Sequence, residues 1–166
     1  VKSKYEIVVV GSGINGMLMS LLLAKNGFDV CLLDSKDLNK NNINQFDGRS
    51  YSIIDSSIKM LENLGIWDYL FSKSQVMNNV IVETKKLNEK NPKSIIKFNS
   101  NNISDKPMGY IVEERHFKES LFKEFKNFRN LDIHYNKKIN KINKEKNFNF
   151  LEINNSDTVK CNLLIG

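Results

Sequence analysis

The sequence predicts an α/β fold with a parallel sheet at its centre. Two short apolar runs, at residues 5–10 and 28–34, flank a segment whose apolar residues recur with helical spacing. Runs rich in β-branched residues are typical of strands that are buried on both faces of a parallel sheet. An amphipathic helical pattern and several short strand-like runs follow from residue 109 to residue 165. A strand–helix–strand unit that returns to further strands predicts right-handed crossovers within one sheet.

The first strand–helix–strand unit has clear boundaries. The run YEIVVV predicts the first strand, and the pattern from Ile14 to Asn26 predicts a helix. Gly27 is placed to end that helix in a left-handed conformation. The run FDVCLLD then predicts a second strand, buried like the first.

The segment that follows is predicted to leave the sheet. Residues 35–48 are polar and rich in turn formers, so they predict a loop. A helix is predicted next, with Ser56 or Ser57 as its N-cap and Gly65 as its stop. The run IWDYL is expected to add one more helical turn.

The second half of the chain mixes strands with one amphipathic helix. VMNNVIVET and SIIKFN, within residues 76–99, predict a hairpin outside the parallel sheet, with a charged turn around Asn91 and Pro92. GYIVEERHFKESLFKEFKNF predicts a brief strand and then a helix, and short strands follow. The apolar positions of that helix recur at three and four residues and are expected in the core: Phe117, Leu121, Phe125 and Phe128.

Composition places the chain among globular domains. It has 166 residues, the size of one average domain, and a net charge of +6. The lysines are scattered among asparagines, so we expect a solvated basic surface and no nucleic-acid partner. No apolar run has the length of a membrane span, and the N-terminus lacks a signal-peptide pattern. We expect a cytoplasmic protein, with room for peripheral association with the inner membrane or with a biosynthetic complex. Cys31 and Cys161 are predicted to be buried thiols.

Three glycines stand between the first strand and the first helix. In VVVGSGINGMLMS, Gly11 permits a tight turn, Gly13 lets a pyrophosphate approach the backbone, and Gly16 lets the helix pack against the strand. The helix that begins near Ile14 presents unpaired N–H groups and the positive end of its dipole to phosphates. Asp34 stands where a carboxylate accepts hydrogen bonds from an adenosine ribose. Because that carboxylate repels a 2′-phosphate, NADP is disfavoured as the resident ligand.

The first unit fits FAD and NAD equally, because both contain the same adenosine diphosphate. A simple nicotinamide-binding domain usually continues soon with another strand and crossover helix. Here residues 35–130 intervene before the strand-like run LDIHY. We therefore expect a nucleotide-binding domain that is interrupted by another domain.

Three segments resemble landmarks of the FAD-dependent aromatic-ring monooxygenases, especially the branch that hydroxylates ubiquinone precursors. DGRSYSIIDSSIKMLENLGIWDYL is similar to that family's arginine and following helix, with its Leu-Gly-Ile-Trp end. GYIVEERHFKESL resembles a strand with an arginine that opens the next helix. CNLLIG resembles the strand that leads into the second flavin motif, Ala-Asp-Gly, and the sequence stops before that motif.

The resemblance implies a Rossmann-like FAD-binding domain with a parallel sheet, interrupted by part of a β-rich substrate domain. Residues 1–75 would form the first part of the FAD-binding domain, residues 76–108 a hairpin of the substrate domain, and residues 109–166 the return to the FAD-binding domain. The implied cofactor-binding residues, with the two arginines near the flavin nucleotide and the last isoleucine beside the adenine, are Gly11, Gly13, Ile14, Asn15, Gly16, Asp34, Ser35, Arg49, Arg115 and Ile139.

The resemblance also implies a reaction. The flavin would be reduced by NAD(P)H, a transient reductant, and one oxygen atom of O₂ would be transferred to the ring of a small phenolic substrate. A prenylated ubiquinone precursor is the substrate that this branch implies, and no catalytic residue is assigned. The chain would be the N-terminal part of a longer enzyme. By itself we expect it to bind FAD weakly or not at all and to turn over no substrate.

Other interpretations stay open at this level. An amine oxidase or a prenyl reductase would share the same nucleotide unit, and an NAD-binding module would share the glycine motif. A basic nucleic-acid-binding domain ranks last, because no aromatic and basic residues alternate on a binding platform. His116 and His134 stand apart from any metal-ligand spacing, so no metal site is predicted. No serine lies in a G-x-S-x-G turn.

Overall fold

The computed structural model describes residues 1–37, 46–84, 94–102 and 105–166. Most of the predicted loop at 35–48, namely residues 38–45, and the predicted turn around Asn91 and Pro92 therefore lie outside the described residues. Within those ranges, no helix combines the length and the apolar character that crossing a membrane requires.

The first strand–helix–strand unit forms as predicted. β1 (Lys4–Val10), α1 (Ile14–Lys25) and β2 (Val30–Leu33) follow one another, and β1 pairs with β2 in parallel. Asn26 is the C-cap of α1. Gly27 follows with a φ of +88°, a conformation that glycine adopts readily because it lacks a Cβ.

One six-stranded sheet contains these two strands. Its other members are β8 (Leu131–His134), β9 (Ile139–Glu145), β10 (Phe148–Ile153) and β11 (Asp157–Ile165). The strand order is β8–β2–β1–β11–β10–β9. The first four of these strands run parallel, whereas β10 pairs antiparallel with both β11 and β9. The α/β class with a mostly parallel central sheet is thereby confirmed.

The core of this sheet contains both cysteines. Cys31 lies opposite Val8 and Cys161 lies opposite Tyr5 in the strand register, and both thiols are free and buried. Burial raises the pKa of the Cys31 thiol to about 12. The prediction that both cysteines are buried thiols is therefore confirmed. The buried cluster around them consists of Tyr5, Val8, Cys31, Leu33, Leu151, Ile153, Val159 and Cys161.

A second group of elements lies between β2 and β8 in the chain. It includes β3 (Ser50–Ile53), α2 (Asp55–Asn63), α3 (Trp67–Ser72), β4 (Gln75–Met77) and β7 (Gly109–Glu113). β7 pairs antiparallel with β3 on one side and with β4 on the other. The helix α4 (Glu114–Phe125) follows β7 directly.

The predicted hairpin forms from β5 (Asn79–Thr84) and β6 (Ser94–Asn99), which pair antiparallel in a sheet of their own. In this register Val80 lies opposite Phe98, and Val82 lies opposite Ile96. Since side chains alternate between the faces of a strand, these four apolar residues share one face. The other face carries the pairs Ile81–Lys97 and Glu83–Ile95 and is mixed in polarity.

The N-cap prediction for the second helix is wrong. α2 begins at Asp55 with Ile54 as its N-cap, and no side chain caps it. Ser56 and Ser57 consequently lie inside the first turn. Asp55 places a negative charge in that turn, where it interacts favourably with the helix dipole and replaces a capping hydroxyl.

Three other element boundaries differ from those predicted. Gly65 does stop α2, but its φ of +78° redirects the chain, so IWDYL belongs to a separate helix rather than to an added turn. VMNNVIVET is split at Asn78, because β4 pairs with β7 while β5 pairs with β6. Phe128 lies beyond α4, where its N–H donates to the Phe125 carbonyl (3.2 Å).

The chain divides into two compact units. The first unit comprises Val1–Phe46 and Arg115–Gly166, and the second comprises Asp47–Glu114. The six-stranded sheet belongs to the first unit, and the two smaller sheets belong to the second. The three-part domain division into 1–75, 76–108 and 109–166 stays a prediction.

Candidate functional site

The glycine turn between β1 and α1 depends on one backbone bond and one close approach. The Gly11 N–H donates to the Leu33 carbonyl (2.8 Å), and Gly11 has a φ of +99°. A Cβ on Gly16 would lie 1.9 Å from the Gly11 carbonyl oxygen. Nonbonded atoms do not approach so closely, and only glycine therefore allows α1 to begin this near to the end of β1.

The amino end of α1 is open. Gly13 is its N-cap, with a φ of −65° and a ψ of 169°, and no side chain caps the helix. The Met17 N–H donates to the Gly13 carbonyl (2.9 Å). The N–H groups of Ile14, Asn15 and Gly16 are those that a helix leaves for an external acceptor. A Cβ on Gly13 would meet no atom within 4 Å, so the turn leaves space beside these N–H groups.

Asp34 directly follows β2 and is fixed through its backbone and its carboxylate. Its N–H donates to the His134 carbonyl (3.1 Å), and its own carbonyl accepts from the Lys137 N–H (2.9 Å). The carboxylate oxygen Oδ2 accepts from the N–H and from the hydroxyl of Ser12, both at 2.6 Å. The other oxygen, Oδ1, accepts from the Lys36 N–H (2.8 Å). The carboxylate is thus tied to the glycine turn.

These contacts favour the ionised form of Asp34. Burial raises the pKa of Asp34, but the hydrogen bonds that Ser12 and Lys36 donate outweigh burial and hold that pKa below its ordinary value. The side chain is therefore a carboxylate at neutral pH. A fixed negative charge of this kind accepts hydrogen bonds from hydroxyl groups and repels phosphates.

Three further residues are relevant to the site around Asp34, namely Tyr135, Ser35 and Ile139. Tyr135 follows β8, and its buried hydroxyl has no hydrogen-bond partner among the described residues. Burial raises the pKa of Tyr135, and the negative charges of Asp34 and Asp37 raise it further. Ser35 is exposed next to Asp34, and Ile139 begins β9, partly buried against the core cluster.

Arg115 lies in the first turn of α4. Its guanidinium carbon is 5.7 Å from the centre of the Phe46 ring, a distance at which a cation is attracted to an aromatic face. Both residues belong to the first compact unit.

Arg49 belongs to the second compact unit and lies among polar side chains. Its Nε donates to Asp47 Oδ2 at 2.8 Å, and its Nη2 also contacts that oxygen. Nη2 forms an ion pair with Glu114 Oε1 at 3.1 Å. Glu114 is only 3% exposed, and its Oε2 accepts from the Tyr51 hydroxyl (2.9 Å). The Arg49 side chain itself is 60% exposed.

The predicted site residues therefore fall into two sets. The first unit holds the larger set, which comprises Gly11, Gly13, Ile14, Asn15, Gly16, Asp34, Ser35, Arg115 and Ile139. The second unit holds Arg49. Within the first unit, direct contacts join the glycine turn to Asp34.

A family model that describes an FAD-binding domain matches residues 4–166 of the chain. The chain belongs to this family. The strand, the glycine turn and the open helix end are thus parts of an FAD-binding domain, and FAD is its cofactor. The expected resemblance to FAD-dependent enzymes is confirmed at this level.

Known relatives of this FAD-binding domain are longer proteins. Ubiquinone hydroxylase UbiL of Rhodospirillum rubrum is 26% identical over 116 residues, which cover 70% of this chain and 26% of that protein. The crystal structure of p-nitrophenol 4-monooxygenase PnpA from Pseudomonas putida DLL-E4 has a TM-score of 0.72 at 17% identity, over 98% of this chain and 40% of that one. The flavin-dependent monooxygenase PieE, solved with FAD and substrate, has a TM-score of 0.72 at 12% identity, over 98% of this chain and 30% of that one.

Two facts follow from these comparisons. The chain spans between 26% and 40% of the length of these three proteins. The two solved structures show that the FAD-binding domain has the fold of flavin-dependent monooxygenases.

The residues present fit the adenosine diphosphate half of FAD. Its two phosphates need N–H donors and positive potential, which the uncapped end of α1 supplies beside the open space at Gly13. A ribose hydroxyl needs an acceptor, which the ionised carboxylate of Asp34 supplies. The buried Tyr135 hydroxyl is a further donor near Asp34. Buried polar groups normally have a partner, so this hydroxyl also suits a site that takes a polar ligand.

Sequence reasoning missed two residues of these sets. Ser12 was not singled out, although a hydroxyl residue between Gly11 and Gly13 was visible; its bond to Asp34 joins positions 22 residues apart. Nothing in the local sequence distinguishes Glu114 from a surface residue of the helix, whereas it is buried and paired with Arg49. Both contacts connect residues far apart in the chain, and no local pattern marks them.

The second unit also contains two cavities, of about 440 and about 290 Å³. Lys106, Pro107 and Tyr110 line both of them. None of the predicted site residues lines either cavity. Across the part of the chain that the structure describes, no three His, Cys, Asp or Glu side chains are arranged to hold a metal ion.

Proposed function

We propose that this chain is the FAD-binding part of a flavin-dependent monooxygenase that hydroxylates a phenolic ring, with NAD(P)H as the transient reductant. The observation that supports it most is the FAD-binding family match together with the open end of α1 beside the ionised Asp34. Shared fold with PnpA and PieE, whose names describe monooxygenases, supports the reaction class.

In this proposal the first unit holds the nucleotide through backbone groups. The N–H groups of Ile14, Asn15 and Gly16 bind the pyrophosphate, because they have no acceptor within the helix. Gly11 and Gly13 leave the turn without side chains, so the phosphates can approach the backbone. Asp34, with the neighbouring Ser35, binds the ribose, and Ile139 lies beside the adenine.

The two arginines supply positive charge for the flavin nucleotide in this proposal. A guanidinium is planar and suits phosphate oxygens, which accept two parallel hydrogen bonds from it. Among the described residues, Asp47 and Glu114 contact Nε and Nη2 of Arg49, and Nη1 is the nitrogen proposed to face such an acceptor. Arg115 would contribute from the start of α4, where it lies over the Phe46 ring.

Bound FAD would supply the redox chemistry, taking electrons from NAD(P)H and passing them to O₂ so that one oxygen atom reaches the substrate ring. The residues of this chain bind and orient the cofactor. No residue of the chain is assigned to proton transfer. The aromatic substrate would be held mainly by segments of the complete protein outside these 166 residues.

The proposed substrate is a small aromatic compound, with a ubiquinone precursor as the first candidate. A relative that is 26% identical carries the name ubiquinone hydroxylase, and PnpA is named for the oxidation of a phenol. The hairpin adds a consistent feature, because the face formed by Val80, Val82, Ile96 and Phe98 is apolar. We propose that this face packs within a substrate domain, to which residues 76–108 belong.

The decisive test uses protein expressed from the complete reading frame. We expect it to purify with bound flavin, identified by its absorbance spectrum and by release of FAD on denaturation. NAD(P)H should then be consumed with O₂ in the presence of a phenolic ubiquinone precursor, and mass spectrometry should find a product heavier by one oxygen atom, labelled when ¹⁸O₂ is used.

Other outcomes would replace the proposal. An amine oxidase or a prenyl reductase would retain flavin but add no ¹⁸O to a phenol. An NAD-binding module would purify without flavin and would bind NADH saturably. A matched test of the 166-residue chain alone should show weak FAD binding or none, and tight stoichiometric retention by that chain would contradict the assignment of part of the site to other segments.

A further inference from the structure

Ser12 differs from the other buried serines of the first unit in its hydrogen-bond partner. Its residue is 3% exposed, and both its N–H and its hydroxyl donate to the same oxygen, Oδ2 of Asp34, at 2.6 Å. Buried serines elsewhere in the first unit bond to a carbonyl nearby in sequence. Ser20 donates to the Gly16 carbonyl at 2.8 Å, and Ser120 donates to the Phe117 carbonyl at 2.8 Å. Ser12 instead reaches a charged side chain 22 residues away.

We propose that Ser12 is a positioning residue for FAD, which clamps the Asp34 carboxylate so that a single acceptor position on Oδ1 faces the adenosine ribose. This inference rests on the proposed function, because it assumes that Asp34 binds that ribose. Ser12 itself acts through Asp34 and needs no contact with the cofactor.

Counting acceptor positions leads to this single contact. A carboxylate offers about four lone-pair positions, two on each oxygen. The two donors of Ser12 fill both positions on Oδ2, and the Lys36 N–H fills one on Oδ1. With the donors from the described residues counted, one position on Oδ1 remains, so the ribose would be bound through one oxygen rather than through both.

The clamp also connects two parts of the nucleotide site. Ser12 lies between Gly11 and Gly13, in the turn that leads to the open end of α1. Asp34 is held on the other side through backbone bonds to His134 and Lys137. The ribose acceptor is therefore fixed relative to the pyrophosphate donors before the ligand arrives, which reduces the ordering cost of binding.

The experiment measures the dissociation constant for FAD of the complete protein in four forms: wild type, Ser12→Ala, Asp34→Asn and the double variant. We expect Ser12→Ala to weaken binding about fivefold and Asp34→Asn about tenfold. The double variant should match Asp34→Asn, because Ser12 acts only through the carboxylate. Ser20→Ala is the matched control, since it removes a buried serine hydroxyl from the same unit, and it should leave FAD binding unchanged.

A pH profile separates positioning from a general structural effect. Wild-type FAD affinity should be flat from about pH 5 to 8, because Asp34 stays ionised there. Ser12→Ala removes a donor that opposes burial, so the pKa of Asp34 should rise and FAD affinity should fall at the acid end. The titratable residues near Asp34 are Lys36, His134, Tyr135 and Lys137, with Asp37 close to Tyr135. All five are present in both proteins, so the difference between the two profiles reports Asp34.

The outcomes are distinct. Equal losses from Ser12→Ala in the wild-type protein and in the Asp34→Asn variant would mean a structural role and overturn the inference, as would no loss at all. An Asp34→Asn variant with wild-type affinity would overturn both the ribose contact and the clamp. A wild-type protein that takes up no FAD would refute the proposed function itself. If Ser12→Ala melts too early to assay, Ser12→Thr keeps a hydroxyl, and its recovery of the flat pH profile supports the clamp while an acid-sensitive profile overturns it.

Discussion

The molecule has two candidate anion sites that differ in kind. One is the glycine turn between β1 and α1, and the other is the Arg49 cluster, which comprises Arg49, Asp47, Tyr51 and Glu114. In the first unit, the donors are backbone N–H groups at the amino end of α1. The decisive feature there is that Gly13 and Gly16 have no Cβ. In the second unit, the donor is one side chain, and the decisive features are two carboxylates that hold one edge of it. A site made of backbone is rigid because the fold is rigid, whereas a guanidinium on a flexible stem needs partners to fix its direction.

The largest expected effect tests the role of empty space in the glycine turn. Gly16→Ala should destabilise the protein by about 3 kcal/mol, since its Cβ would lie 1.9 Å from a backbone oxygen that cannot move aside. Gly13→Ala should leave stability almost unchanged, because the φ of Gly13 is −65° and its Cβ would meet no protein atom. The same substitution should weaken FAD binding at least about tenfold, since the methyl group fills the approach to the helix end.

Thermal unfolding of the apoprotein and FAD titration measure the two quantities separately. Unchanged FAD affinity in Gly13→Ala would mean that the space beside this residue holds no ligand. A stable Gly16→Ala protein would mean that the turn opens more easily than its geometry implies.

A smaller effect tests the side-chain site. Glu114→Gln should lower stability by about 2 kcal/mol, because a buried carboxylate that accepts from Tyr51 and Arg49 is replaced by a neutral amide. Tyr51→Phe is the comparison variant, since it removes one of those bonds and keeps the ion pair. Arg49→Gln should weaken FAD binding about tenfold, and Arg49→Lys should recover only part, because an ammonium lacks the planar edge.

Denaturant unfolding and FAD titration again distinguish the roles. Arg49→Gln with full FAD affinity would limit Arg49 to a structural ion pair. Glu114→Gln with wild-type stability would show that the carboxylate contributes little to the second unit.

Sequence patterns predicted the parts of the fold that local chemistry determines. The strand and helix of the first unit follow from apolar periodicity, and the ends of α1 and α2 follow from Gly27 and Gly65, whose φ values are positive. The pairing of strands could not be predicted in this way, because it depends on residues far apart in the chain. The run VMNNVIVET reads as one strand, and only pairing with β7 on one side of Asn78 and with β6 on the other divides it.

The candidate site divides in the same way. Gly11, Gly13, Gly16 and Asp34 were identified from spacing, because a phosphate-binding turn imposes a fixed interval between strand, turn and acid. Ser12 and Glu114 were not identified as site residues, because their importance depends on contacts with Asp34 and Arg49 that the fold creates. The sequence around Ser12 in the turn, and around Glu114 at the start of α4, is the same whether these side chains are buried or solvated.

A third test extends the comparison to the hairpin of the second unit. Ile96 and Ile81 are 54% and 56% exposed in this chain and lie on opposite faces of the hairpin. If the uniformly apolar face is covered by a substrate domain, Ile96→Thr should destabilise the complete protein by about 1 kcal/mol. Ile81→Thr, on the mixed face, should cost less. Equal shifts in melting temperature for the two variants would contradict burial of the apolar face.

The smallest expected effect compares two carboxylates within the first unit. Burial raises the pKa of Asp132, but hydrogen bonds from Lys2 and Tyr5 outweigh it, so its pKa lies below the ordinary 3.8, as does that of Asp34. A carboxyl group whose pKa is lower in the folded state stabilises the fold above its unfolded pKa, and that stability is lost as the pH falls through the folded value. The melting temperature should therefore be flat from about pH 5 to 8 and fall below about pH 4.

Substitution should separate the two groups. Asp132→Asn should reduce the fall of the melting temperature at acid pH and leave FAD affinity unchanged. The reason is that Asp132 contacts only Lys2 and Tyr5 in the hydrogen bonds and ion pairs described for it. Asp34→Asn should also reduce the fall of the melting temperature at acid pH. In addition it should weaken FAD binding, because it removes the ribose acceptor. A loss of FAD affinity in Asp132→Asn equal to that in Asp34→Asn would mean that charge in the sheet as a whole, rather than the clamped carboxylate beside the glycine turn, governs cofactor binding.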